Sequence, residues 1–158
     1  AIGQTLPPAG WMPQRAASVA AAPEAVSDAA ASAAVTDAFT GCLAAFLAKN
    51  ADGALSFMDD EVSFLRLRQT VSREELRTTF LGYFETTEFG GADVEDIVDT
   101  ESIFVEPALS PVDGVRGKVF MLNAEARVDL SSTIPFLGKY QRYYFHEVAG
   151  DWKIFAIL

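Results

Sequence analysis

The sequence is short of the residues that most active-site chemistry uses. Among 158 residues there is one cysteine, Cys42, and one histidine, His146. A single cysteine closes no internal disulfide and builds no thiolate zinc site. GxSxG, a P-loop, a dinucleotide fingerprint, CxxC and HExxH are all absent, so nucleophilic, nucleotide-dependent and zinc chemistries lose their usual carriers and no cofactor is expected. Basic residues are also scarce. Twelve Lys and Arg stand against 22 Asp and Glu, a net charge of −10, which is the wrong sign for a nucleic-acid backbone or an anionic bilayer. No apolar run is read as approaching the roughly 20 residues of a membrane span, so a soluble chain without membrane insertion is expected.

What the sequence does have is apolar mass: half its residues are hydrophobic and 12 are Phe, enough for one real core. Residues 1–34 differ in composition and read as an extension to a domain over 35–158. The extension is rich in Ala and Pro, with Arg15, Glu24 and Asp28 as its only charges. Its early prolines favour an extended arm. Pro23 and Glu24 suit the first turn of a helix through the alanines; alternatively the stretch is a linker anchored by Trp11 and Met12. An Ala/Pro-rich opening at Ala1 reads as the new start left by removal of an export signal, or as an expression scar, and the lean is toward export.

From Val35 the pattern becomes helical, with Val35, Phe39, Leu43, Phe46 and Leu47 on one stripe that ends near Lys49-Asn50. Asp52 is expected to cap a short helix through Leu55, Phe57 and Met58, and "DDEVSFLRL" then alternates as a strand. "VSREELRTTFLGYF" is the sharpest local signal. Ser72 and Glu75 form a capping box, with Val71 and Leu76 as its hydrophobic staple. Leu76, Phe80, Tyr83 and Phe84 give the helix a buried face, and Gly90-Gly91 close the segment. Everything after reads as strand: a broken extended stretch at "VEDIVDTESIFVEP", a long strand at "GVRGKVFMLNAEARVDL", another from Ile134 or Phe136 to Glu147, and "DWKIFAIL". The expected class is α+β, a curved antiparallel sheet with helices on its concave face.

"AFLAKNADGALSFMDDEVSFL", "VSREELRTTFLGYF" and "EVAGDWKIFAI" together resemble the nuclear transport factor 2-like superfamily, which includes SnoaL-like and ketosteroid-isomerase-like proteins. The resemblance spans about residues 36–158 and implies a cone-shaped pocket. Such a scaffold hosts isomerases, dehydratases, hydrolases, cyclases and plain binding modules, so it leaves function open. Family isomerases place a Tyr on the first helix, a carboxylate base on the first strand and a second acid on the penultimate strand. The matching positions here hold Cys42, Phe64-Leu65 and Arg142, which cannot do that work.

The remaining candidates rest on strand parity. A two- or four-residue turn at "VAGD" puts Tyr143, Phe145 and Glu147 on the face of Trp152, Ile154 and Ala156. His146, Tyr144 and Arg142 then share the other face with Lys153, Phe155 and Ile157. His146 is thus expected outside the cone, although a three-residue loop or a bulge would reverse that. Apolar residues on the outer face call for a cover, predicted to be a second copy in a sheet-to-sheet homodimer, with the N-terminal arm as the alternative. Phe46, Phe64, Arg66, Phe80, Tyr83, Tyr143 and Trp152 are expected to line the pocket, and Arg66 to form either a structural bridge or an anion site. The runs Asp59-Asp60-Glu61 and Asp93 to Glu101 read as solvated, with no metal site. Glu125, Arg127 and Asp129 read as an exposed ladder of ion pairs. Three functions stay open: a non-catalytic module binding a small apolar ligand or a partner, which is favoured; a cofactor-independent lyase or isomerase using Asp99 or Glu101 with Tyr83 or Tyr143; and a structural subunit.

Overall fold

The computed structural model describes residues 21–158, with side chains placed from Asp28 onward. The chain divides into two units, Ala1–Ala33 and Ala34–Leu158. In the first, the described residues are helical and Pro23-Glu24 stand in the opening turn of α1, Ala21–Leu47. Trp11 and Met12, the expected anchors, lie outside the described residues.

In the second unit the expected stripe of α1 is buried throughout: Val35, Phe39, Leu43, Phe46 and Leu47 are each no more than 7% exposed. The helix ends where Lys49 turns left-handed at φ 61. Lys49 N–H returns to Phe46 O and Asn50 N–H to Ala45 O, which satisfies two terminal carbonyls. The reading that no run approaches a membrane span does not hold for length and composition. Asp28–Leu47 is 20 residues long with a mean hydropathy of 1.5, long and apolar enough by composition to cross a membrane. Alanines raise its hydropathy without adding bulk, and its large side chains are spent on the domain core.

Asn50, rather than Asp52, caps the short α2, Ala51–Leu55, by accepting from Gly53 N–H at 2.9 Å. A Cβ at Gly53 would come within 2.5 Å of that Asn50 amide, so the cap needs the glycine. Phe57 and Met58 leave the helix, and β1 runs from Met58 to Phe64. A turn at Leu65–Arg68 then folds back β2, Gln69–Ser72; the period-two reading ran the first strand on through Leu67 and did not foresee β2. Ser72 and Glu75 form the capping box of α3, Arg73–Thr86, as expected. Leu76, Phe80 and Phe84 are its buried face.

A single turn, α4 at Val94–Ile97, precedes β3 at Val98–Ala108, so the broken stretch is one helical turn and one long strand. β4 covers only Val119–Ala126 of the expected long strand; β5 is Tyr140–Val148 and β6 is Asp151–Ile157. The sheet has six strands in the order β2-β1-β6-β5-β4-β3. It is mixed rather than wholly antiparallel, because β6 inserts beside β1 and runs parallel to it. The fold class is α+β.

The β5–β6 hairpin settles the parity. Val148 pairs with Asp151 across a two-residue turn, Ala149-Gly150, at φ 52 and 88. Phe145 then pairs with Ile154, His146 with Lys153 and Glu147 with Trp152, as expected. Beyond Ile154 the register shifts, so that Ala156 pairs with Tyr144 and Ile157 with Tyr143. This bulge moves Ala156 to the outer face and Ile157 to the inner one, the reverse of the sequence expectation. Around Tyr144 and Phe155 the outer face is buried within the chain itself, with Val112 and Val115 of the β3–β4 loop packed on it.

Replacing the cap hydroxyl in Ser72→Ala is expected to lower unfolding free energy by about 1 kcal/mol, read from the urea midpoint. Ala149 holds a conformation that costs a β-carbon about 1 kcal/mol. Ala149→Asn, which tolerates that turn position, should raise the midpoint by a similar amount, and no gain would deny the strain.

Candidate functional site

The interior of the sheet-and-helix sandwich is filled by rings. Phe46 of α1 meets Phe80 and Phe84 of α3 at 5.0 Å each and Phe136 at 5.6 Å. Phe136 belongs not to a strand but to the connection between β4 and β5. Pro135 and Gly138 break the alternation there, and local bonds from Ile134 N–H to Leu130 O and from Leu137 N–H to Ile134 O curl the segment. Ile134 and Leu137 become fully buried, 0% and 1% exposed, and Phe136 plugs the end of the core, also touching Phe64 and Tyr83 at 6.3 Å.

Above this plug, at one end of the sheet, an open pocket of about 320 Å³ remains. Phe64, Leu67, Phe136, Tyr140 and Ile157 supply its apolar walls, while Arg66, Lys139, Asp129 and Ser131 are polar. Leu67 and Tyr140, two of its walls, are 62% and 66% exposed. Lys139 Nζ sits 5.9 Å from the centre of the Tyr140 ring. Asp129 accepts from Ser131 N–H at 2.9 Å and Ser131 O–H at 2.6 Å. Those bonds, helped by the charge of Lys139, hold its carboxyl below the usual value.

The expected pocket residues therefore separate. Phe64 and Arg66 line the mouth, with Arg66 exposed rather than buried in a bridge. Phe46 and Phe80 are core. Tyr83 is half-buried against Phe136, and burial raises its phenol. Tyr143 is fully interior, donating to Gln141 Oε1 at 2.8 Å and tilted against Phe39 at 5.1 Å between ring centres. Trp152 stands edge-on to Phe120 and lines a different groove of about 510 Å³ with Phe57, Asp37 and Lys153. Asp99, on the edge strand β3, faces Arg127 at 3.6 Å, and Glu101 is exposed. These carboxylates and Tyr83 make separate contacts, so the expected acid–base set does not assemble.

His146 pairs with Lys153, as the strand parity predicts, and stands edge-on to Phe155 at 4.8 Å. It is not solvated, however. Its Nε2 donates to Asp59 Oδ2 at 2.6 Å, across the intervening strand β6. Asp59 is thus a partnered strand residue, not part of a solvated cluster. Lys153 Nζ donates to Ser56 O nearby. Neither ring nor acid lines the mouth pocket. No spacing in the sequence points to this pair, because 87 residues separate its members and only the strand order joins them.

No family model and no curated protein matches the chain. Among solved structures it is similar to a DUF4783 family protein from Bacteroides ovatus, at 14% identity and TM-score 0.41, over 74% of this chain and 88% of that one. DUF4783 family proteins from Bacteroides fragilis and Bacteroides uniformis are similar at 13% and 11% identity and TM-scores of 0.39 and 0.38. Each covers 74% of this chain, with 91% and 90% of its own length matched.

Cys42, where the family resemblance places a catalytic Tyr, is buried, donates to Ala54 O at 3.4 Å, and has its thiol pushed up to about 12 by burial. The unfolded thiol ionises near its ordinary value of 9.0, so below that pH both states keep the proton and stability does not change. Between 9.0 and about 12 only the unfolded chain loses it, and stability falls as pH rises. Tyr143 adds to this loss above 10.0, its phenol also raised by burial. Unfolding free energies from urea titrations at pH 8 and upward should decline past pH 9 in the wild type, by about 1.4 kcal/mol per pH unit from the thiol, and less steeply in Cys42→Ala. Equal slopes would contradict the burial assignment.

Proposed function

We propose that this domain is a non-catalytic binding module on a nuclear transport factor 2-like scaffold, and that its ligand is a small apolar molecule held at the mouth rather than deep in the core. The plug carries the proposal. Where an enzyme on this scaffold would need a hollow with an acid and a base, Phe46, Phe80, Phe84 and Phe136 fill the space. The volume left above them, about 320 Å³, falls at the lower end of small-molecule sites and has mostly apolar walls with a few polar groups at its rim. The groove beside Trp152 is larger, but apart from Phe57 and Trp152 its lining is small or polar, and its lysine is engaged by Ser56 O.

The direct test is the neutral fluorophore phenylnaphthylamine, whose emission rises in apolar surroundings. Saturable binding at one site per chain is expected. The double variant Leu67→Ser, Tyr140→Ser, which alters only exposed walls, should weaken it roughly tenfold. Binding unchanged by the double variant, or none in the wild type, would refute the mouth as the site.

A further inference from the structure

We propose, resting on the mouth as the binding site, that its ligand carries an anionic head beside its apolar body, with Arg66 as the group that recognises the anion. Four other arginines have assigned partners. Arg73 bonds Asp60 and Arg77 bonds Asp52, each at 2.9 Å; Arg127 faces Asp99 at 3.6 Å; and Arg142 donates to Asn123 Oδ1 at 2.8 Å. Arg66, Arg68 and Arg116 have no ion-pair partner among the described residues, and of these three only Arg66 lines the pocket, on the tight turn after β1. The acid at the same rim, Asp129, is already bonded twice by Ser131 and attracts Lys139. Lys139 therefore stands against a charge of its own, and the Arg66 guanidinium is left over.

A chain with a net charge of −10 repels anions at long range, so no general field brings an acid here. At contact distance the rim counts instead, since a planar guanidinium offers two parallel N–H groups to a carboxylate or sulfonate while Phe64, Phe136 and Tyr140 receive an apolar body. The fitting class is a small aromatic or alkyl acid. A bare inorganic anion would leave the walls empty, and an apolar cation would meet only the engaged Asp129.

A matched pair of fluorophores separates this inference from the reading beneath it. Anilinonaphthalene sulfonate and neutral phenylnaphthylamine share their rings and differ by the sulfonate. The wild-type chain should bind the sulfonate about tenfold more tightly at low salt, the effect of one charge-assisted pair. That advantage should shrink in about 0.5 M salt, where exposed charges are screened. Arg66→Gln should weaken the sulfonate far more than the neutral probe, bringing the two affinities within about twofold of each other. Equal binding of both by the wild type, or a sulfonate advantage that survives Arg66→Gln, overturns the anionic head and leaves the apolar site standing. Loss of both probes in Arg66→Gln reports a structural role instead and also overturns it. If the wild type binds neither, both proposals fall.

Discussion

Phe46 sits against four rings, those of Phe80, Phe84, Phe89 and Phe136, at centroid separations from 5.0 to 5.7 Å. It is 2% exposed. Each fully buried ring of this size is worth about 1.5–3 kcal/mol in apolar transfer, and edge-on contacts add to that. α1, α3 and the β4–β5 connection are all held at one end of the core by this cluster. Because the last contributor comes from an irregular loop, the same packing that stabilises the domain also closes it. A ring that fills the centre leaves room for a ligand only at the rim.

The two faces of the sheet solve different problems. The inner face buries Phe120, Leu122, Phe145 and Ile154 under helices and loop. The outer face carries a smaller apolar cluster covered by Val112 and Val115, and beside it the Asp59–His146 hydrogen bond. That bond ties β1 to β5 over β6 and satisfies two polar groups that sit half-buried among apolar neighbours. It contributes to holding the C-terminal strand in place within the sheet. It stands away from the mouth and its phenylalanines.

Charge and shape then meet at the mouth. Elsewhere Lys49, Arg73, Arg77 and Arg127 are tied to carboxylates on the surface, where such pairs contribute little to stability. Arg66 instead borders apolar walls at the mouth. Leu67 and Tyr140 remain largely in water there, a cost that a bound apolar body would remove.

The local signals were legible where a few neighbouring residues decide the outcome. The α1 stripe, the Ser72–Glu75 box and the two-residue turn at Ala149-Gly150 depend on periodicity, one side-chain hydrogen bond and one pair of dihedrals, all encoded within about a dozen residues. The α+β class came from their order. Long-range pairing decided the rest. The insertion of β6 parallel to β1, its bulge after Ile154, the curl that makes Phe136 a plug and the meeting of Asp59 with His146 each depend on which strand lies next to which, and that is set by the burial of the whole core rather than by any one segment. Arg66 shows the difference most simply: strand alternation pointed it inward, but the chain turns at Leu65 and leaves it at the rim, because backbone direction in a turn is fixed by the neighbours it must pair with on both sides.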